Sequence, residues 1–125
     1  MQDLSVLSVG SLARIDLNRE ARCGVPEVVY GEGKRLNDLV DIATAMLGQQ
    51  GKVIITRLSP EYRDALLPML KDAEVEYDED ARALVARRKG LTRNETMEGT
   101  VAILTAGTSD IPIAAECALI ARELG

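Results

Sequence analysis

Short apolar segments alternate with helical repeats from residue 27 onward, and this alternation limits the chain to few folds. The apolar segments are short enough for strands, whereas the segments between them carry apolar side chains at the spacing of an amphipathic helix. The predicted order is a strand at 27–30, a helix at 36–47, a strand at 53–57, a helix at 60–73, a strand at 75–78 and a strand at 82–87, although the alanines of 82–87 also suit a helix. Short connections between such elements predict an α/β fold, with a small parallel or mixed sheet and flanking helices.

Other segments carry weaker signals. Apolar side chains at 1–13 follow no regular period, and we interpret them as a frayed end or the remnant of a helix. A short charged helix is predicted at 15–22, where Gly24 ends it and Pro26 prevents its continuation. Residues 89–99 are polar and contain two glycines, so they are the best predicted linker.

The absence of histidine excludes several kinds of active site. A chain without histidine has no Ser-His-Asp triad and no His-ligated metal, and we expect no metal site here. Cys23 and Cys117 lack metal-ligand spacing and are too few for a disulfide framework, so they are expected to be free thiols in a reducing cytoplasm.

A net charge of −5 argues against nucleic acid as a partner. No apolar run approaches the roughly 18 residues of a membrane span, and no signal peptide opens the sequence.

A strand, a turn and a helix are predicted around a Gly-Thr-Ser-Asp segment near the end of the sequence. Residues 101–104 predict a buried strand, and the small and hydroxyl residues of 107–110 allow a sharp turn. A helix is predicted over 111–124, with Ser109 or Asp110 as its N-cap. Because backbone N–H groups at such a strand end bind anions, the turn is either an anion-binding site or only a helix cap.

The predicted helix at 111–124 is apolar around most of its circumference. Its central stripe is formed by Ile113, Cys117, Ile120 and Leu124, and alanines flank that stripe. A helix of this kind must be covered on more than one side. We expect either a partner subunit or additional polypeptide to cover it, and we favour additional polypeptide.

Basic side chains outside the turn are further candidate anion ligands: Lys34, Arg57, Arg19 and Arg22. Lys34 follows a glycine turn after a predicted strand, but a solvated lysine is the preferred interpretation because the segment is not a Walker A motif. Arg57 is predicted at the carboxyl end of a strand, where ligand binding and a structural ion pair are equally expected. Arg19 and Arg22 could clamp a carboxylate, although pairing with nearby acidic side chains is preferred.

Two parts of the sequence resemble the LarB family, a PurE-related family of nickel-pincer cofactor synthesis. Residues 101–125 resemble the opening strand, turn and helix of PurE-type aminoimidazole-ribonucleotide carboxylases, and Thr105-Ala-Gly-Thr-Ser-Asp-Ile-Pro112 is closer to LarB. The N-terminal region of LarB is matched in order and spacing by Ile15-Asp16, Arg19, Arg22, Gly24, Pro26-Glu-Val-Val-Tyr-Gly31, Gly33-Lys34 and Thr56-Arg57. The resemblance implies an N-terminal α/β domain at 1–96 and, at 97–125, the first βα unit of a PurE-like (flavodoxin-like) domain that is incomplete here.

The resemblance also implies an activity and a set of ligands. LarB-like enzymes carboxylate the pyridinium ring of nicotinic acid adenine dinucleotide and hydrolyse its phosphoanhydride, with CO2 or bicarbonate as second substrate, Mg²⁺ as a candidate ion and no tightly bound cofactor. By similarity, a phosphate or carboxylate of that substrate would be held by Gly107, Thr108, Ser109 and Asp110. The family's nucleophilic cysteine lies beyond this turn and matches neither Cys23 nor Cys117. We therefore expect no catalytic residue in this chain, as in a catalytically incomplete fragment.

One motif departs from the family pattern, because Asp-His-His-Arg is Asp16-Leu-Asn-Arg19 here, and the role of that segment stays open. PurE-like domains pack as octamers, so we expect a homo-oligomer through residues 111–124 that binds a small nucleotide, with neither nucleic acid nor membrane as partner. Two alternatives stay open. One is a purine-pathway carboxylase or mutase acting on aminoimidazole ribonucleotide, against which residues 15–57 argue. The other is a non-catalytic oligomerising or nucleotide-binding module.

Overall fold

The computed structural model describes residues 6–11, 13–91 and 97–125. In chain order the strands and helices are β1 Val6–Val9, β2 Ala13–Asp16, α1 Arg19–Cys23, β3 Val29–Tyr30, α2 Leu36–Gln50, β4 Lys52–Thr56, α3 Pro60–Leu66, β5 Ala73–Asp78, β6 Ala83–Arg88 and α4 Ile111–Leu124. Short 3₁₀ turns follow α3 at Leu67–Leu70 and precede α4 at Thr108–Asp110. The elements predicted from residue 27 to residue 88 are therefore all present, with ends shifted by a few residues.

The central sheet is mixed and has the strand order β3-β4-β6-β5. Strand β3 pairs with β4 in parallel, with Val29 opposite Ile55, whereas β6 is antiparallel to both β4 and β5. A short turn joins β5 and β6 into a hairpin, so these two strands pair antiparallel. Strand β6 of this hairpin lies next to β4. The predicted α/β fold with a small mixed sheet and flanking helices is confirmed.

One face of the sheet is covered by α2, α3 and a hairpin of β1 and β2. Its core is aliphatic, as a chain without Trp and Phe requires, and includes Leu39, Met46, Ile55, Leu58, Leu66 and Leu84. Leu7 and Val9 of β1 pack against this core, and Ile15 of β2 is buried in it. The interpretation of residues 1–13 as a frayed end or helix remnant is thus wrong for the described part, because side chains two apart on β1 share a buried face. Residues 1–5 and 12 lie outside the described residues.

The other face of the sheet is covered by α4. Leu119 is 1% exposed and packs with Ile54, Val85 and two small neighbours, so β4 and β6 are buried on both faces. The helix predicted at 111–124 is confirmed, but its buried side differs from the predicted stripe. Ile113 and Cys117 are exposed, which corrects their assignment to a buried stripe.

The rotation of α4 has a physical reason in its two acidic residues. Glu116 and Glu123 lie on the side that faces the sheet, and both find cationic partners there. Leu119 and Ile120 lie between them at i+3 and i+4 spacing, so the buried stripe combines carboxylates with apolar side chains. A prediction of the buried face of α4 from its apolar residues alone therefore selects the wrong face.

The strand predicted at 101–104 is not formed. Residues 101–105 have no helical or strand structure, and Leu104 is 91% exposed. A strand needs a neighbour that accepts and donates its ladder hydrogen bonds. No strand among the described residues pairs with this segment. The linker predicted at 89–99 falls partly on residues 92–96, outside the described residues, and the domain boundary at 96/97 stays a prediction.

Candidate anion-binding site

A cleft of about 360 Å³ lies at the carboxyl ends of the parallel strands β3 and β4. In α/β sheets, ligands collect at this edge of parallel strands. The lining residues come from the turn after β3, the segment after β4, the first turn of α3 and the residue before β6: Gly31, Glu32, Gly33, Lys34, Arg35, Arg57, Ser59, Tyr62 and Arg82. The structure thus brings Lys34 and Arg57, two of the predicted anion ligands, into one site.

The lining carries more positive than negative charge, with four basic side chains against Glu32. Arg35 is partly neutralised by Asp38, because its Nε lies 3.2 Å from that carboxylate. Neither Lys34 nor Arg82 forms a salt bridge with a residue that the structure describes. Such a surplus of cationic donors suits a phosphate or a carboxylate.

Glycine shapes the wall of the cleft. A Cβ on Gly31 would lie only 2.8 Å from the carbonyl oxygen of Thr56, so no side chain fits where the turn meets the end of β4. The Gly31 amide donates a hydrogen bond to that same oxygen at 2.7 Å. Gly33 has a φ of 77°, and the Lys34 amide then bonds to the Gly31 carbonyl at 3.2 Å. This tight turn places Lys34 beside the end of β4.

Two of the lining arginines have left-handed backbone conformations. Arg57 has a φ of 52° and Arg82 a φ of 49°. For a residue with a Cβ this region costs about 1–3 kcal/mol and persists only where the surroundings enforce it. The Leu58 amide donates to the Arg82 carbonyl at 2.8 Å, which fixes the two arginine-bearing segments against each other. Strain of this kind concentrated at one cleft favours a functional role for the cleft.

Helix α4 runs antiparallel to β4, because ion pairs join the two elements near both ends. Lys52, at the start of β4, has its Nζ 3.8 Å from the carboxylate of Glu123. Arg57, just after β4, donates through Nε to Glu116 at 2.8 Å. The N-terminus of α4 therefore points toward the edge of the sheet that carries the cleft. Asp110 precedes Glu116 by six residues, which is about 9 Å along a helix axis.

The Gly107–Asp110 turn immediately precedes α4 and does not line the cleft. Its residues are exposed or half-buried, and the Asp110 amide donates to the Gly107 carbonyl at 3.1 Å. Asp110 occupies the N-cap position of α4, as one of the two alternatives predicted, but its side chain makes no capping hydrogen bond. The assignment of Gly107, Thr108, Ser109 and Asp110 to substrate binding stays a prediction.

Arg19 and Arg22 lie elsewhere, on α1. Arg22 is paired with Asp16, and Arg19 lies 4.0 Å from Glu27, so the preferred interpretation of internal ion pairs is confirmed. The sequence analysis missed Arg82. Its approach to Arg57 depends on the β5–β6 hairpin and on a left-handed backbone conformation that no local sequence pattern predicts.

A larger cavity of about 520 Å³ lies at the opposite end of β4, beneath the C-terminal part of α4. Its charged walls balance, because Glu20, Glu27 and Glu123 are matched by Lys52, Arg87 and Arg122. A cavity without surplus charge gives an ionic ligand no net attraction. The smaller cleft is therefore the better candidate for an anionic ligand.

Residues 6–89 match the family model described as the LarB/PurE-like N-terminal domain, which is more than half of the chain. The chain belongs to this family. The predicted LarB resemblance is thereby confirmed. One relative, named Uncharacterized protein MJ0165, from Methanocaldococcus jannaschii, is 36% identical over 109 residues. The aligned region covers 82% of this chain and 41% of that protein, so the chain spans about two-fifths of the length of the curated relative it matches.

The cleft lies entirely within the LarB/PurE-like N-terminal domain, since all of its lining residues fall between 31 and 82. The Gly107–Asp110 turn and α4 follow the matched region. Cys23 and Cys117 are free and exposed, and neither lines the cleft. Over residues 6–11, 13–91 and 97–125, no group of three or more potential ligands is arranged to hold a metal. No helix in those ranges has the length and apolar character needed to cross a membrane.

Proposed function

We propose that this chain is the substrate-binding N-terminal part of a PurE-related, LarB-like enzyme. That enzyme carboxylates the pyridinium ring of nicotinic acid adenine dinucleotide and hydrolyses its phosphoanhydride in nickel-pincer cofactor synthesis. The observation that carries the proposal is the cationic cleft at the carboxyl ends of β3 and β4, inside the family domain. In this proposal the cleft holds one anionic group of the dinucleotide.

The side chains of the cleft suit that task in different ways. Lys34 supplies an ammonium group that has no salt bridge among the described residues, so it can neutralise a phosphate at little cost. Arg57 uses Nε for Glu116, and an arginine offers further N–H donors that could take a ligand oxygen. Arg82 adds a third cation to the lining of the cleft.

The proposal gives this chain a binding role. A second anionic group of the substrate would meet the Gly107–Asp110 turn, which precedes the N-terminus of α4. CO2 or bicarbonate is the second substrate in this scheme, and Mg²⁺ would accompany the phosphates. The exposed face of α4, with Ile111, Ile113 and Cys117, would form contacts between copies of the chain in the cytoplasm. No covalent step is assigned to Cys23 or Cys117.

Calorimetric titration of the purified chain with nicotinic acid adenine dinucleotide tests the binding role. Lys34→Ala and Arg57→Ala should each weaken the affinity between about tenfold and about 150-fold, because each removes a charge-assisted contact of about 1.5–3 kcal/mol. Lys71→Ala is the matched control, since Lys71 is exposed and is not one of the lining residues. Equal affinity for all variants would contradict the proposal.

A second measurement concerns the reaction. In the protein that contains this chain, labelled bicarbonate should enter the pyridinium ring and adenosine monophosphate should be released. Arg57→Ala should lower both rates, whereas Lys71→Ala should change neither. Carboxylation of aminoimidazole ribonucleotide instead would favour the purine-pathway alternative, and saturable nucleotide binding without turnover would favour a non-catalytic module.

A further inference from the structure

Tyr30 is an aromatic side chain that is not part of the hydrophobic core. The chain has three tyrosines and neither tryptophan nor phenylalanine. Tyr62 packs against the core, and the Tyr77 hydroxyl donates to the Leu58 carbonyl at 2.8 Å. Tyr30 is 53% exposed at the carboxyl end of β3, next to the cleft residues Gly31 and Glu32. An aromatic ring held in solvent beside a ligand cleft is available to contact a ligand.

The Tyr30 ring is fixed in position. Its hydroxyl donates to Glu32 Oε2 at 2.7 Å, which ties the ring to the turn that lines the cleft. This hydrogen bond is the main cause that raises the pKa of the phenol above its ordinary value. Because Val29 packs into the α2 face, the next side chain on β3 points to the face that α4 covers. The ring therefore stands between the cleft and α4.

The ring lies beside the one acidic side chain of the cleft lining, Glu32. Glu32 acts electrostatically on Tyr30, as do Arg57 and Glu116, which are paired with each other at 2.8 Å. The edge of the sheet thus has an aromatic ring tied to one carboxylate beside a surplus of cations. A ligand that joins a cationic aromatic ring to a phosphate complements both parts.

We propose that Tyr30, held by Glu32, is the surface on which the cationic aromatic ring of the ligand stacks while its phosphate occupies the cleft. The inference rests on the proposed function, because it names the contact for the pyridinium ring of the same ligand. The face of a tyrosine ring attracts a cation through its quadrupole, and the Glu32 carboxylate beside the ring adds to that attraction. Tyr30 is then a binding and positioning residue that selects a charged ring over a neutral one.

Three small probes separate ring binding from phosphate binding. Nicotinamide mononucleotide carries a cationic ring and a phosphate, its reduced form carries a neutral non-aromatic ring and the same phosphate, and ribose 5-phosphate carries no ring. A fourth probe, 1-methylnicotinamide, carries the cationic ring without a phosphate. Each is titrated calorimetrically into the full chain, and ring-proton shifts in NMR spectra report stacking directly.

The variants are chosen to remove the ring, the hydroxyl or the charge. Tyr30→Leu should weaken nicotinamide mononucleotide between about threefold and thirtyfold, the range expected for a cation–π contact. Its affinity for ribose 5-phosphate should stay within about twofold. Tyr30→Phe keeps the ring and should retain most of the affinity, and Glu32→Gln should weaken the cationic mononucleotide more than its reduced form. Met69→Leu, at an exposed apolar position that does not line the cleft, is the control.

The outcomes also distinguish this inference from the proposed function. If Lys34→Ala and Arg57→Ala weaken ribose 5-phosphate while Tyr30→Leu leaves nicotinamide mononucleotide unchanged, the anion cleft stands and the role of Tyr30 is refuted. Equal weakening of ribose 5-phosphate and the mononucleotide by Tyr30→Leu also refutes it, since that result marks a structural role. If the cleft variants have no effect but Tyr30→Leu still weakens 1-methylnicotinamide selectively, the cleft assignment fails and Tyr30 stands. Absence of binding by every probe refutes both.

Discussion

Glu123 is the residue whose loss should most weaken the attachment of α4. Its side chain is 6% exposed and accepts a hydrogen bond from Arg87, which is 8% exposed. Lys52 lies 3.8 Å from the same carboxylate and donates to the Glu123 backbone carbonyl at 3.3 Å. Removing one partner of a buried ion pair costs about 3–5 kcal/mol, because the remaining charges are left without compensation. For Glu123→Gln we expect about 3 kcal/mol, the lower end of that range.

The lower end is expected because both cations keep another contact. Arg87 remains 3.8 Å from Glu76, and Lys52 keeps the backbone carbonyl at position 123. The measurement is urea unfolding followed by circular dichroism. Asp41→Asn is the matched control, an acid-to-amide change at an exposed position of α2 that should cost less than about 0.5 kcal/mol. A loss below about 1 kcal/mol for Glu123→Gln would refute the reasoning.

A double substitution separates charge from packing. Glu123→Leu alone leaves the Arg87 guanidinium buried beside an apolar side chain and should be strongly destabilising. Adding Arg87→Met should recover part of the loss, because buried ion pairs can be replaced by apolar side chains at little net cost. If the double variant is less stable than Glu123→Leu, the contribution of the Glu123–Arg87 pair to the free energy of unfolding is not electrostatic.

Two further predictions concern packing and pH. Leu119→Ala should lower the free energy of unfolding by about 2–5 kcal/mol, because Leu119 is fully buried on the sheet, whereas Cys117→Ala on the exposed side of the same helix should change it by less than about 0.5 kcal/mol. Burial raises the pKa of Tyr77 above its ordinary value of 10.0. Its contribution to stability should therefore be complete below pH 10 and be lost as the pH rises through the folded-state pKa. Urea unfolding between neutral and strongly alkaline pH should show this decline in the parent chain and a shallower one in Tyr77→Phe. Equal slopes would contradict the assignment.

Much of the central fold could be predicted because its local signals agree. Ser59, Pro60 and Glu61 predict a helix start, and in the structure Ser59 Oγ accepts the Tyr62 amide at 3.3 Å. Gly51 ends α2 in a left-handed conformation, as expected of a C-terminal glycine. Such signals depend on residues adjacent in the sequence, so they do not change with the tertiary contacts of the helix.

Features that depend on distant contacts were missed. The β1–β2 hairpin packs against core residues that lie far along the chain. Its own sequence shows too little alternation of apolar and polar residues to predict two strands. The 101–104 segment has the composition of a buried strand, but composition does not supply a neighbouring strand. In the candidate site, Lys34 and Arg57 could be proposed from their place after predicted strands. Arg82 could not, since only the folded hairpin brings it to Arg57.

The acidic residues of α4 connect the fold to the site. Glu123 and Glu116 fix the helix at the two ends of β4, so the direction of α4, and with it the location of the Gly107–Asp110 turn, is set by charges of the sheet. Arg57 belongs both to this attachment and to the cleft. An anion in the cleft that draws on the Arg57 guanidinium therefore also acts on the contact that holds the N-terminal half of α4. Because binding energies of linked contacts are reciprocal, the stability of α4 on the sheet and the affinity of the cleft for an anion must depend on each other through this one side chain.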